Sequence, residues 1–338
     1  MLELDKELST LMTLLIESIS KRIFTSVIIL FLVISFIFLL IRLSPGDPSQ
    51  KFLASSKSPE LAELVKKTYN LDKPLLTQYI SFVSGFIQGN LGYSYNFREK
   101  VLNVILNYAP FTIFLSLTAV LFRFIFGFIL AYISFKNAGS IWDKLLKKIN
   151  FVFYASPTFV VGILLIVLFS ANLNLFPSSG FRSFNYEELS WWGKLLDYSS
   201  HLTLPLLTLV LCGMPLYYLY IRDNLQNENQ KDYITYLRSN GFGEKKIFYR
   251  HILPNTISPL LAVAGIELGL LFGGALFVEV VFGLPGIGRL TVDAIASRDY
   301  PLIVGCCFFA GFMMLVSTML ADLLRLFIDR RLSSGILN

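Results

Sequence analysis

Two ionisable side chains occupy places where charge is rare. Arg123 lies within an apolar run spanning residues 111–135, and Glu267 within another spanning 256–278. A charge at the centre of a membrane helix costs roughly 2.5–3.5 kcal/mol on insertion scales, so it turns toward protein or water. The pair therefore either lines a pathway for a charged solute, forms a buried ion pair, or makes separate contacts to another subunit. Other chemistry is sparse. His201 and His251 are the only imidazoles, too few for a His-rich or H-E-x-x-H metal site. Cys212, Cys306 and Cys307 lie in apolar runs without a C-x-x-C pair and read as small buried hydrophobes. The phosphate loop G-x-x-x-x-G-K-[ST] is missing from the sequence, and Gly241-Phe242-Gly243 is not followed by its Gly-Lys-Ser/Thr. The chain is thus not expected to hydrolyse nucleotide or to be an enzyme. An intramembrane hydrolase would need a nucleophile with a base, or paired acids, at one depth. Neither histidine is mid-span, and Glu267 has no evident acidic partner.

The elements that must position these residues follow from composition. The 338 residues are 54% hydrophobic, 15% aromatic and only 15% charged, against about 25% charged in ordinary globular chains. That excess excludes a disordered regulator, a disulfide scaffold and a soluble nucleic-acid binder, and points to an integral membrane protein. Crossing a bilayer takes about 20 apolar residues in a helix. Six runs meet this test: 23–41, 111–135, 151–171, 202–221, 256–278 and 302–321. They are continuous rather than alternating, which excludes a β-barrel. The first is longer than a signal-peptide core and is followed by Arg42-Leu43-Ser44-Pro45 with no small-residue cleavage site, so it is expected to remain. With residues 1–22 on the cytoplasmic side, the inner segments hold 16 Lys and Arg in 86 positions and the outer ones 12 in 117. Both termini are therefore expected in the cytoplasm. The net charge of +6 becomes a topology signal, not a nucleic-acid footprint.

Within the fifth run Gly265, Gly269 and Gly273 recur every four residues, a stripe suited to close helix packing. Pro157, Pro205 and Pro215 predict kinks in the third and fourth runs. The outer loop 42–110 is expected to fold, with one helix over 59–69, a second ending near Gln88 and a turn at Gly89-Asn90-Leu91-Gly92. On the inner side, loop 222–256 reads as a helix ending at a glycine cap, a tight turn at Gly241, and a short helix from about Glu244.

That inner loop resembles the EAA loop of binding-protein-dependent ABC importers, E-A-A-x3-G-x9-I-x-L-P. Gly241, Leu253 and Pro254 keep its spacing, while Thr235, Tyr236 and Leu237 stand at the Glu-Ala-Ala positions and Glu244 and Lys245 open the short helix. Arg250, His251, Leu253 and Asn255 are similar to the ending seen in peptide importers. Arg42-Leu43-Ser44-Pro45-Gly46-Asp47-Pro48, Leu71-Asp72-Lys73-Pro74-Leu75 with Gln78-Tyr79, and Gly89 to Ser94 also resemble permease subunits of dipeptide, oligopeptide and nickel ABC importers. So do Phe282-Gly283-Leu284-Pro285-Gly286-Ile287-Gly288-Arg289-Leu290, Arg298-Asp299-Tyr300-Pro301, Asp322-Leu323-Leu324 and Ile328-Asp329-Arg330-Arg331.

The resemblance implies an all-α, six-span permease with the type I importer fold in the inner membrane. Its parts would be a cytoplasmic segment 1–22, a first span with external domain 23–110, a transmembrane domain 111–328 and a tail 329–338. It implies a second homologous permease, one or two ATPase subunits carrying ATP and Mg, and an external solute-binding protein that delivers di- or oligopeptides, with nickel or a chelated metal as the alternative cargo. In such a pathway Arg123 and Glu267 would meet peptide termini. A secondary transporter is the remote alternative and predicts uptake driven by an ion gradient without ATPases.

Overall fold

The structure is a computed structural model that describes residues 20–21, 24–40 and 73–328, with side chains through residue 324. The helix expected over 59–69 and the Arg42–Pro48 motif lie outside the described residues, as do positions 329–338. Among the described residues the chain is helical, and its only extended pairing is an isolated bridge between Tyr93 and Lys100. The order is α1 (Phe24–Leu40), α2 (Leu75–Ile87), α3 (Val101–Lys136), α4 (Ile141–Ala155), α5 (Thr158–Leu165), α6 (Trp191–Asn229), α7 (Asp232–Ser239), α8 (Glu244–Ile247), α9 (Leu253–Phe272), α10 (Leu276–Val281), α11 (Ile287–Ala296) and α12 (Tyr300–Ile328). A π-turn continues α5 over Ile166–Asn172, and another joins α8 to α9 over Phe248–Ile252.

Four helical stretches are long and apolar enough to cross a membrane: α3, α6, Glu244–Phe272 and α12. Ile141–Ala155 and Thr158–Asn172 are long and apolar enough only when taken together, as a pair bent by 103°, and the seventeen described residues of α1 are apolar but shorter. The six expected runs map onto these helices with three corrections. First, 151–171 is not one span. The chain turns by 103° between Ile141–Ala155 and Thr158–Asn172, because Ser156 and Pro157 both take extended ψ values near 131°. Second, the expected run 256–278 stops at Phe272, since Gly274 adopts φ +109° and starts a new direction into α10. Third, α3 and α6 extend well beyond 111–135 and 202–221. Their ends are amphipathic rather than wholly apolar, and α6 runs through Pro205 and Pro215 without a break in helix.

Packing divides the interior into three apolar clusters. On the side of α10, Leu115, Leu204, Leu209, Phe282 and Leu284 meet; toward α7, Tyr217, Tyr218, Ile221, Leu225, Ile234 and Leu260 do so. Val101, Val104, Ile105, Leu290 and Leu302 join α3, α11 and α12. Meanwhile Leu117, Leu121, Ile125 and Ile129 leave one face of α3 exposed and apolar, as a lipid- or subunit-facing helix requires.

The glycine stripe of α9 lies against α12. A Cβ on Gly265 would stand 2.3 Å from the Ala321 Cβ, and one on Gly269 would stand 2.8 Å from the Met314 Cα. Gly273 faces Ala310 at 3.2 Å. Because the obstacle at Gly269 includes backbone, a side chain there must push the helices apart. Gly269→Val is therefore expected to destabilise the protein by about 1–3 kcal/mol through overpacking. A lower thermal midpoint and less monodisperse protein in detergent would show it; an unchanged midpoint would refute it.

Candidate functional site

The inner-side loop is a built structure. α7 closes with a Schellman motif: Gly241 N–H donates to the Arg238 carbonyl at 3.0 Å and Phe242 N–H to the Leu237 carbonyl at 3.2 Å. This closure requires the left-handed conformation, and Gly241 supplies it at φ +79°. α8 then starts at Glu244, whose carboxylate receives both Arg238 Nε at 2.7 Å and Nη2 at 3.2 Å. The same Nη2 donates to Asn229 Oδ1 at 2.6 Å, so one guanidinium ties α7, α8 and the end of α6 together. Pro254 has no N–H to give the Arg250 carbonyl, and the chain passes from α8 to α9 through the π-turn.

Three isoleucines hold this unit to the spans. Ile234 of α7, Ile247 of α8 and Ile252 of the π-turn are buried beside Tyr218, Ile221 and Leu225 of α6 and Ala131 of α3. The Phe248 ring lies 5.2 Å from that of Tyr132. A second polar knot forms at Glu228, which accepts from Tyr233 at 2.9 Å and pairs with Lys231. Asn255 of α9 reaches the Tyr233 hydroxyl at 3.1 Å. Burial, reinforced by the hydrogen bond to the Glu228 carboxylate, pushes the Tyr233 phenol above its ordinary value.

What remains outside is distinctive. Thr235, Tyr236, Gly241, Phe242, Lys245, Lys246 and Tyr249 are exposed, while Leu237 and Leu253 are half-buried and Pro254 is exposed. Fixed aromatic rings beside two lysines, on a unit anchored from behind, form a surface suited to a protein partner. Around Gly241 and Gly243 a Cβ would meet nothing within 4 Å, so that turn is open on its outer side.

Deep in the bundle the structure brings Arg123 and Glu267 together. Arg123 Nη1 lies 2.7 Å from Glu267 Oε2, with side-chain exposures of 6% and 20%. Arg123 Nε also donates to the Leu209 carbonyl of α6 at 2.9 Å. Gly213 makes room for it, since a Cβ there would fall 2.1 Å from Nε. One guanidinium thus joins α3, α6 and α9.

Three further polar centres form, two of them, at Asp143 and Glu279, on residues not singled out from sequence and the third on Asp299 of the 298–301 motif. Asp143 of α4 accepts from Arg222 Nε at 3.1 Å and Nη2 at 3.3 Å, and from Gly139 N–H at 3.0 Å; Ser134 and Lys147 complete its shell. Its local signal is Ser140 three residues before, whose hydroxyl caps α4 by accepting from Asp143 N–H. Glu279 is fully buried and accepts from Thr112 Oγ1 at 3.0 Å and Arg289 N–H at 3.1 Å, against the first turn of α11. Gly286 and Gly288 of the Phe282–Leu290 motif exist for this approach, since a Cβ on Gly286 would fall 2.2 Å from the carboxyl carbon. Asp299 heads α12, donor groups reaching it from Ser94 and, at 2.9 Å, Asn96 N–H. It thereby fastens the 89–94 turn to the 298–301 motif.

Residues 123–334 match the family described as "Binding-protein-dependent transport system inner membrane component", and residues 15–118 match its N-terminal membrane component. The nickel import system permease protein NikB of Staphylococcus aureus is 32% identical over 327 residues, covering 95% of this chain and 94% of that one. The peptidoglycan transport system permease protein YejB of Agrobacterium fabrum is 32% identical, covering 82% of this chain and 78% of its own. The di/tripeptide transport system permease protein DppB of Pseudomonas aeruginosa is 31% identical, covering 85% and 90%. Among solved structures, a MetNI methionine ABC transporter is similar at 13% identity and a TM-score of 0.48, covering 70% of this chain and 97% of that one. The chain is a multi-pass inner-membrane protein and belongs to the permease family of binding-protein-dependent ABC importers that includes peptide and nickel systems.

Proposed function

We propose that this chain forms half of the translocation pathway of an ATP-driven importer for di- or oligopeptides, and that α7, the Gly241 turn and α8 are its docking element for an ATPase subunit. The observation that carries this reading is the loop itself: outward-facing Tyr236, Phe242, Tyr249, Lys245 and Lys246 on a unit locked by Arg238–Glu244 and rooted among α3, α6 and α9. A push on α8 reaches three spans through Ile234, Ile247 and Ile252, which is the physical requirement for rocking a bundle between two states. ATP and Mg belong to the partner subunits, since this sequence carries no phosphate loop. A second permease completes the pathway, and the outer loops receive a binding protein that brings the solute. The loop lies in the cytoplasm together with both termini, in line with the Lys and Arg distribution.

Nickel is the second reading, favoured by the NikB relatives that align with 95% of the chain. Against a bare ion stands the presence of only two histidines; a chelated metal escapes that objection. In vesicles containing this chain, its sister permease, the ATPases and the binding protein, ATP is expected to drive accumulation of labelled di- or oligopeptide. Labelled nickel offered instead should not accumulate. Uptake of nickel alone would replace the cargo, and uptake driven by an ion gradient without ATP would overturn the importer mechanism for this chain.

A further inference from the structure

We propose that α4 is an interfacial helix which lies in the leaflet on the side of the α7–α8 loop and gathers anionic phospholipid headgroups with Lys144 and Lys148. The 103° break at Ser156–Pro157 means that, where Thr158–Asn172 crosses the bilayer, Ile141–Ala155 runs close to the membrane plane. Its fifteen residues then extend about 22 Å along the surface. Its depth is set by Asp143, whose pairing with Arg222 fixes α4 against α6 about two turns before α6 ends at Asn229.

Around α4 the faces are sorted in three. Asp143, Leu146, Asn150 and Phe153 turn inward, with Asp143 and Asn150 fully buried. Trp142, Leu145, Ile149 and Val152, spaced three and four apart, form an exposed apolar stripe, Trp142 at 63%. Lys144 and Lys148 stand on the third face, exposed and without an ion pair among the described residues, and share it with Phe151, 68% exposed one turn further on. A stripe of Trp, Leu, Ile and Val flanked by lysines is the composition of a helix lying in the headgroup boundary. Trp142 is the residue type that prefers that depth. Lysines rather than acids beside the stripe select the occupant by charge: an anionic phospholipid, with each lysine enriching it on the order of fivefold near the surface. This inference rests on the membrane location of the chain and not on its cargo or its ATPase.

The test uses the full chain with Trp191 and Trp192 replaced by phenylalanine, so that Trp142 is the sole tryptophan. It is reconstituted in phosphatidylcholine vesicles containing a minor fraction of brominated phosphatidylglycerol or, separately, brominated phosphatidylcholine. Trp142 fluorescence is expected to be quenched by both lipids and several-fold more efficiently by the anionic one. Lys144→Gln with Lys148→Gln should remove the preference and keep the quenching, while Lys144→Arg with Lys148→Arg should retain both. Equal quenching by the two lipids in the parent protein would overturn the headgroup assignment. No quenching by either would overturn the interfacial placement and assign the stripe to a protein neighbour, which cross-linking from Trp142→Cys to the sister permease would identify.

Discussion

Gly241→Val is expected to lower ATP-driven uptake by at least about tenfold while the chain still inserts and the ATPase subunits still hydrolyse ATP. A Cβ at position 241 has open space around it, so no clash at that atom accounts for the loss. The damage is in the backbone. At φ +79° an L residue carries roughly 1–2 kcal/mol of strain, and a β-branched one more. The chain escapes by abandoning the left-handed turn, which breaks the Gly241-to-Arg238 and Phe242-to-Leu237 hydrogen bonds and re-aims α8 relative to α7. A shift of 1.4 kcal/mol in a docking equilibrium is already about tenfold. Gly241→Asn separates the two ways the position could matter, since asparagine tolerates the left-handed region but adds a side chain on the open side. Retained uptake in the asparagine variant assigns the effect to backbone conformation; loss in both assigns it to contact with the partner. Unchanged uptake with valine would remove the coupling role of this turn.

How much of this was legible in the sequence varied with the range of the physics. The loop's helices, cap and turn are local: a glycine after an amphipathic segment, an acidic residue opening the next, a proline entering the span. They stand in the structure at Ser239, Gly241, Glu244 and Pro254. The apolar runs locate the spans because burial in lipid acts on every residue of a window. The same averaging hid the break in the third run. Apolar content is continuous across Phe153 and Thr158, and a proline in such a run reads equally as a slight kink or as the 103° turn that the extended backbone of Ser156 and Pro157 makes. Glu279 illustrates the opposite blindness. A single acid before a glycine-rich motif has no local partner, and only the fold brings Thr112, 167 positions distant, and the first turn of α11 to its carboxylate. Sequence marks Gly286 and Gly288 as special; the carboxyl they accommodate is visible only in three dimensions.

Arg123 and Glu267 carry the other large expected effect, and its pattern over several variants is more telling than any one of them. Arg123→Met leaves Glu267 charged in an apolar bundle and also strips the Leu209 carbonyl of its second donor. Removing one partner of a buried pair costs about 3–5 kcal/mol, and the 20% exposure of Glu267 places this case at the low end. Glu267→Gln should be milder, because the amide oxygen still accepts from Arg123 while Arg123 keeps Leu209. Replacing both residues with methionine removes both charges together, so assembly should recover by at least half of the loss in thermal midpoint. Exchanging the two charges should recover less, since a carboxylate at position 123 would face the Leu209 carbonyl instead of donating to it. Additive losses in the double methionine variant would show that the two residues do not act as a pair. If that variant assembles but no longer transports, the ion pair serves the solute's path as well as the packing of α3, α6 and α9. If it transports normally, the pair's role is confined to holding those three helices in register.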